Sequence, residues 1–291
     1  MKRTPTLLVA VLAFAACLLL PRASSAGLVI LGTFIGGEQK GPSFGGGNIV
    51  DIFGAAASAW ESAIRDEFVL RIDYGWGPDP GGYHYLQEQG GDPNRESQGM
   101  ILVNPQIFND GTFAPLYMDP TPLDNAEFTS YQETAQDFGG GLLNTGRMLQ
   151  MNVEGVPFYL DLYTIISHEI GHALGLSNAS SSFVTEAADG DIDVTGSQPF
   201  AGSSLPLATN NFGVTSHLAI QGAVMTGLFA NGRQLLSDAD ILANAQLSGW
   251  DTTLSPEPTP EPATLWLVGS GLAALAGNER RRRRQRAKTD A

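Results

Sequence analysis

The sequence predicts an α+β domain between Gly27 and about Asp251, and three of its features support this fold class. The apolar stretch 27–35 is typical of a first β-strand. Apolar residues recur at intervals of three and four between 49 and 64, which predicts a long amphipathic helix. Apolar residues alternate between 68 and 74, as in a half-buried strand. A strand, a long helix, several strands and a later helix form an α+β order, and the body is long enough for one domain.

Further strands are predicted before the later helix. Residues 76–82 are rich in glycine and proline and predict a loop. Short strands are predicted at Gly99–Val103, Gly141–Thr145 and Arg147–Val153. Residues 104–140 are rich in proline, aspartate, asparagine and glycine, and their pattern predicts no order of elements.

Residues 1–26 predict a secretory signal peptide. The segment begins with Lys2 and Arg3, continues as an apolar run at 7–20 and ends in small residues. This run is shorter than the roughly 20 residues that a membrane-spanning helix needs. Cys17 is the only cysteine and lies in this segment, so the mature protein would have neither a disulfide nor a thiolate metal ligand.

The C-terminal end predicts a linker and a sorting tail. Residues 252–262 are proline-rich and acidic, which is typical of a stiff linker. A short apolar segment at 263–277 and a row of arginines at 280–284 follow. Together these parts resemble the PEP-CTERM sorting tail of bacterial surface proteins, here at residues 260–286. The resemblance implies export, a transient membrane anchor and processing by an exosortase-type enzyme, with the arginines on the cytoplasmic side. A plain C-terminal anchor is the alternative, and it also predicts export.

The charge of the body is strongly negative. The whole chain has a formal net charge of −14, with 16 basic and 30 acidic residues. Three of the basic residues lie in 1–26 and seven after Asn278, but only two acidic residues lie after Asn278, so the body is near −22. This charge argues against nucleic acid or an anionic membrane surface as a partner.

His168, Glu169 and His172 form an HExxH motif within a segment of helical periodicity. Two histidines four residues apart lie on one face of a helix, so both imidazoles can bind one metal ion. The glutamate between them would lie beside a water on that metal. An amphipathic helix with two half-buried histidines is the alternative, but Gly175 extends the motif in the pattern of the metzincins and can end the helix in a left-handed turn.

The segment Leu162–Ser177 and the order of elements before it resemble the matrixin branch of the metzincins. The resemblance implies a zincin-like catalytic domain, with a twisted mixed sheet, a long N-terminal helix and an active-site helix. The family has a third histidine three residues after the glycine, whereas this chain has Asn178 there.

A second segment completes the resemblance. Ser216–Met225 is similar to the family's run from the third histidine to the Met-turn, and Leu236–Ile241 is similar to the start of its last helix. We interpret residues 178–216 as an insertion that separates the two halves of the zinc motif. Loop closure costs only about 0.6 kcal/mol per doubling of length, so such an insertion is compatible with a metal site. His217 is then the predicted third ligand.

The resemblance also implies the roles of these residues. His168, His172 and His217 would hold one catalytic Zn²⁺, and Glu169 would be the general base that activates water. Met225 would form an apolar floor beneath the metal. We place the family's substrate-pairing edge strand at Gly141–Thr145, where a protein or peptide substrate would add as a strand.

The remaining candidates are three aspartates and a fourth histidine. Asp189, Asp191 and Asp193 are rivals for the third zinc position, since a carboxylate can complete a two-histidine site. Their spacing suits Ca²⁺ equally well, and a solvated loop without metal is a further interpretation. His84 lies between two tyrosines and is predicted to be a surface residue in a loop.

Two functions of different classes follow. The first is an exported zinc metalloendopeptidase, tethered at the cell surface or released. The alternative is a catalytically inactive surface or biofilm-matrix protein that keeps the metzincin fold. Zinc-dependent hydrolysis of another kind of bond is a third hypothesis. The presence of Glu169 favours an enzyme, because a binding module needs no general base beside two metal ligands.

Overall fold

A four-stranded sheet forms one layer of the domain in the computed structural model, which describes residues 27–39, 41–78, 81–104, 114–227 and 231–254. The strand order is β1-β3-β5-β4, where β1 is Leu28–Gly36, β3 is Phe68–Trp76, β4 is Gly81–Gly90 and β5 is Arg95–Asn104. The pairs β1-β3 and β3-β5 are parallel, and β4 is antiparallel to β5. The predicted α+β class is confirmed, with four α-helices in the described part of the chain.

The predicted long helix is confirmed as α1, Ile49–Ala63. Asn48 caps its first turn, since its side chain accepts hydrogen bonds from the backbone N–H groups of Val50 and Asp51. The apolar face of α1 packs between the sheet and the helix that carries the HExxH motif. Trp60 is fully buried, and its indole N–H donates to the backbone oxygen of Ser167 at 2.9 Å, which joins the two helices.

Among the described residues, the prediction of a loop at 76–82 holds only for Gly77 and Pro78, since Trp76 ends β3 and Gly81 begins β4. The prediction for His84 is wrong. Strand β4 begins at Gly81 and places His84 in a strand rather than a loop. The side chain of His84 is 2% exposed and faces the protein interior. The inward face of β4 carries glycine and histidine, so the alternation along this strand is not the usual one with apolar residues inside.

A second sheet has the order β13-β8-β7, where β7 is Ser130–Asp137, β8 is Leu142–Gln150 and β13 is Arg233–Leu235. The two strands predicted between 141 and 153 are therefore one strand. Strand β13 pairs only with residues 147–149 of β8, so residues 142–145 pair on one side, with β7. Strand β4, which ends its own sheet, packs against the motif helix.

The segment without a predicted order contributes to a small parallel sheet. Here β2 (Ser43–Phe44), β6 (Leu116–Tyr117) and β9 (Leu160–Asp161) lie side by side in the order β2-β6-β9. Strand β9 leads directly into α2, Leu162–Ala173, which is the predicted HExxH helix. Every residue of α2 is buried, so the motif lies inside the domain.

The segment interpreted as an insertion, 178–216, is folded. It contains α3 (Ser181–Glu186) and the strands β10 (Asp191–Asp193) and β11 (Ser204–Asn210). These strands form an antiparallel sheet in the order β10-β11-β12, and β12 (Gly213–Leu218) carries His217. Two strands therefore support the third candidate ligand.

The predicted last helix is α4, Asp238–Ser248, which begins with a capping box formed by Ser237 and Asp240. Across the described ranges, none of the helices has both the length and the apolar character needed to span a membrane. The signal peptide at 1–26, the linker beyond 254 and the tail at 260–286 with its apolar segment lie outside the described residues.

Candidate metal centre

His168 and His172 lie one turn apart on α2. Asp161 caps the start of this helix by accepting a hydrogen bond from the backbone N–H of Thr164 at 2.9 Å. The helix ends at Ala173, and Gly175 follows with a φ of 145°, a conformation that favours glycine. The two imidazoles point to the same side, with their Nε2 atoms 3.0 Å apart.

His217 completes a cluster of three imidazoles. Its ring centroid lies 5.1 Å from those of both His168 and His172. One nitrogen of each ring lies within 4.8 Å of the others, which is a spacing that one metal ion can bridge. The backbone N–H of Leu218 donates to the backbone oxygen of Met225 at 2.8 Å, so the Met-turn holds the end of β12 in place. The structure thus brings the three predicted ligands together.

Hydrogen bonds orient the two helix histidines. The Nδ1 atom of His168 lies 2.7 Å from the backbone oxygen of Val224, and Nδ1 of His172 lies against the backbone oxygen of Leu176. A carbonyl oxygen only accepts, so each Nδ1 carries the proton and Nε2 is the unprotonated nitrogen of each ring. A metal-binding histidine typically donates the N–H of its other ring nitrogen in this way.

Burial keeps the three imidazoles neutral. Desolvation, together with the neighbouring His217, lowers the pKa of His168 to about 3. Desolvation and the neighbouring histidines also lower the pKa of His172, and burial lowers that of His217. Neutral imidazole is the form that binds a metal ion, so the cluster is in the required state at neutral pH.

Glu169 is buried beside the cluster and faces β4. Burial raises the pKa of its carboxyl group to about 8, and a hydrogen bond from the backbone N–H of His84 acts in the opposite direction. Gly82 provides the space for this side chain, because a Cβ at position 82 would overlap Oε1 of Glu169. The edge strand therefore determines where the carboxyl group lies.

Met225 lies beneath the cluster and is fully buried. It packs against Gly171 on the inner side of α2, where a Cβ would overlap the sulfur of Met225. Asp240 stabilises the turn that contains Met225. Its carboxylate accepts hydrogen bonds from the backbone N–H groups of Val224 at 3.0 Å and Met225 at 2.8 Å. Because Val224 also binds His168, one buried carboxylate stabilises both the floor and a candidate ligand.

We expect the substitution Asp240→Asn to destabilise the fold by about 1–3 kcal/mol, because an amide has one acceptor oxygen where the carboxylate binds four donors. Urea unfolding measures this change. The control is Asp238→Asn on the same helix, where Asp238 pairs with Arg147 at a partly exposed site and should contribute less than about 1 kcal/mol. Equal effects of the two substitutions would contradict the role of Asp240.

A cleft of about 440 Å³ opens above the imidazoles. Strand β4 forms one wall through Gly81, Gly82 and Tyr83. The opposite wall comes from the chain after α2 and from the neighbourhood of His217, with Ser177, Asn178, Ala179, Ser216 and Gly227. Among the strands that the structure describes, none pairs with the outer edge of β4, which is the last strand of its sheet.

The three aspartates form a cluster of their own, separate from the histidine cluster. One carboxylate oxygen from each of Asp189, Asp191 and Asp193 lies within 4.8 Å of the others, and Ser204 donates a hydrogen bond of 2.6 Å to Asp191. In the described ranges these carboxylates group with one another and not with the histidines, so the rival third ligand is not found among them. Whether Ca²⁺ binds this group stays a prediction.

The contribution of β4 to the site was not predicted from the sequence. Gly82 and His84 both contact Glu169, and the His84 side chain pairs with buried Glu96 at 2.8 Å. The signal for this strand was the alternation of Gly82, Tyr83, His84 and Tyr85, in which the tyrosines face outward.

Comparison with known proteins identifies only the C-terminal tail. Residues 258–282 match the PEP-CTERM protein-sorting motif. This match confirms the predicted tail, and it indicates an exported protein with a C-terminal sorting signal recognised by an exosortase-type enzyme. No curated protein and no solved structure matches the chain.

Proposed function

We propose that the protein is an exported zinc metalloendopeptidase of metzincin type. The observation that carries this proposal is the convergence of His168, His172 and His217 beside Glu169 in a cleft that a strand edge lines. Three neutral nitrogens form a donor set for zinc rather than for a hard cation, and the buried carboxyl group beside them can act as a base. The sorting tail supports export, and we extend it to the surface or exterior of a bacterial cell, with the tail as a transient anchor.

The donor set fits zinc in two respects. The Nδ1 atoms of His168 and His172 lie against backbone carbonyls, so Nε2 is the nitrogen of each ring that would bind the metal. The 3.0 Å separation of these Nε2 atoms is close to the separation of two nitrogens on one tetrahedral Zn²⁺. Zinc bound there would polarise the scissile carbonyl and lower the pKa of a water toward about 7.

The residues of this chain would carry out the remaining steps. An extended peptide would add as a strand to the outer edge of β4, which presents backbone N–H and C=O groups. Glu169 would accept the proton of the attacking water on its carboxylate and then donate it to the nitrogen of the leaving amine. The hydrogen bond from His84 would favour the ionised form that this first step requires.

Casein hydrolysis by the purified protein tests the proposal. We expect hydrolysis that stops when a chelator removes the metal and returns when zinc is added. Elemental analysis should find one zinc per chain. A protein that binds one zinc but cuts no member of a peptide library would contradict the proposal and favour the inactive surface protein.

The third ligand has a test of its own. We expect His217→Ala to lose zinc during dialysis that leaves the wild type loaded, because two imidazoles form an incomplete site. Elemental analysis after dialysis measures this loss, and hydrolysis should fall with it. The matched control is Ser216→Ala, next to His217 on β12. Full zinc occupancy in His217→Ala would show that another group is the third ligand.

A further inference from the structure

A buried hydrogen-bonded couple, His84 and Glu96, lies on β4 and β5 beside the candidate metal centre. His84 Nε2 and Glu96 Oε1 are 2.8 Å apart, and the two side chains are 2% and 3% exposed. Gly99 provides space for the couple, since a Cβ there would overlap the Glu96 carboxylate. Two apolar side chains of similar size would stabilise the fold at least as well as this buried couple. A contribution to stability therefore does not explain why the couple is present.

The couple lies at the point where β4 contacts Glu169. The backbone N–H of His84 donates to the Glu169 carboxyl group, and Gly82, on the same face of β4, leaves space for Oε1. The rings of His84 and His172 are also close, with centroids 6.5 Å apart. The side chain of His84 is therefore held on β5 while its backbone holds the general base.

Strand β4 needs such an anchor because, within the described ranges, it pairs with another strand along one edge only. Its partner is β5, and their register shifts twice, between Leu86 and Glu88 and between Glu88 and Gln89. Register shifts weaken a ladder locally and let a strand move. His84 lies before these shifts, where β4 lines the cleft, whereas Glu96 pairs with Gln89 after them. The side-chain bond between His84 and Glu96 therefore joins the two strands across the irregular part of the ladder.

We propose that the His84–Glu96 couple positions Glu169 for catalysis by holding the backbone of β4 in place. His84 and Glu96 are thus positioning residues, and neither needs to touch the substrate. This inference rests on the proposed function, because the position of Glu169 matters for hydrolysis.

The double variant His84→Leu/Glu96→Leu tests the proposal, because it replaces the couple by apolar side chains and leaves no buried charge unpaired. We expect it to fold and to bind one zinc, with kcat about 10- to 100-fold lower, since a misplacement of about 1 Å can reduce a rate 100-fold. KM should change less than about threefold, since the outer edge of β4 remains available. Glu96→Gln keeps a hydrogen bond to His84 and should retain most of the wild-type kcat.

A control separates positioning from a general loss of stability. Leu86→Ala shortens a half-buried side chain on the same strand, away from Glu169, and should lower the melting temperature while kcat stays within about twofold. Wild-type kcat in the double variant, or an equal loss of kcat in Leu86→Ala, would overturn the proposal.

Crystal structures of the wild type and the double variant give a result that does not depend on activity. We expect the Glu169 carboxyl group to move by about 1 Å or more in the double variant. An unchanged Glu169 would overturn the positioning role even if the wild type hydrolyses peptides. A displaced Glu169 in a protein that hydrolyses nothing would support the positioning role while the proposed function fails.

Discussion

Replacement of Glu169 by glutamine should lower kcat for peptide hydrolysis by about 100- to 10,000-fold, the usual contribution of a general base. Glutamine has nearly the same shape and can accept the hydrogen bond from His84, but it cannot take a proton from water. The zinc content should remain one per chain, because the three imidazoles are unchanged. Steady-state kinetics with a fluorogenic peptide and elemental analysis of the same sample measure both quantities.

A second carboxylate provides the control for this experiment. Glu154 is exposed and lies outside the cleft, so Glu154→Gln should keep the wild-type kcat. If Glu169→Gln retains more than about a tenth of the wild-type kcat, Glu169 is not the general base and another group must accept the proton.

Replacement of Arg233 by methionine should reduce the free energy of unfolding by about 3–5 kcal/mol, which is typical when one partner of a buried ion pair is removed. The guanidinium group lies 2.6 Å from Asp119 and 3.1 Å from Asp161, and both carboxylates are buried. Without Arg233 these two negative charges would remain in the interior. Asp161 also caps α2, so the histidine helix should lose part of its support.

Arg147→Met is the matched control for Arg233→Met. Arg147 pairs with Asp238 at 3.1 Å, but its side chain is 30% exposed, so water screens the interaction. We expect a change of about 0–1 kcal/mol for this substitution. Urea unfolding of both variants measures the difference, and similar losses would show that the buried cluster around Arg233 has no special role.

Local patterns in the sequence predicted much of the fold and most of the candidate site. The intervals between apolar residues predicted α1, and the spacing of His168 and His172 predicted their common face on α2. His217 was predicted because its distance from Met225 resembles a known motif, and the two residues do lie at the joined ends of β12 and the Met-turn. These predictions depend on residues close together in the chain.

The predictions that proved wrong concern how distant strands pair. Gly141–Thr145 was predicted to be the strand that pairs with substrate, but β4 lines the cleft and residues 141–145 do not. His84 was predicted at the surface, but its imidazole is buried against Glu96. A strand's own residues do not determine its neighbours, and a histidine in a polar segment has no local feature that indicates burial.

The sequence by itself determined the chemistry that this protein can offer: two histidines and a glutamate on one helix, a candidate third histidine, and a C-terminal sorting signal. Only the tertiary structure decided which strand lines the cleft, which residues hold Glu169, and that the three aspartates group apart from the histidines. A motif on one helix follows from the geometry of a single helical turn. A cleft depends instead on contacts between segments far apart in the chain, and these contacts form only when the whole core packs.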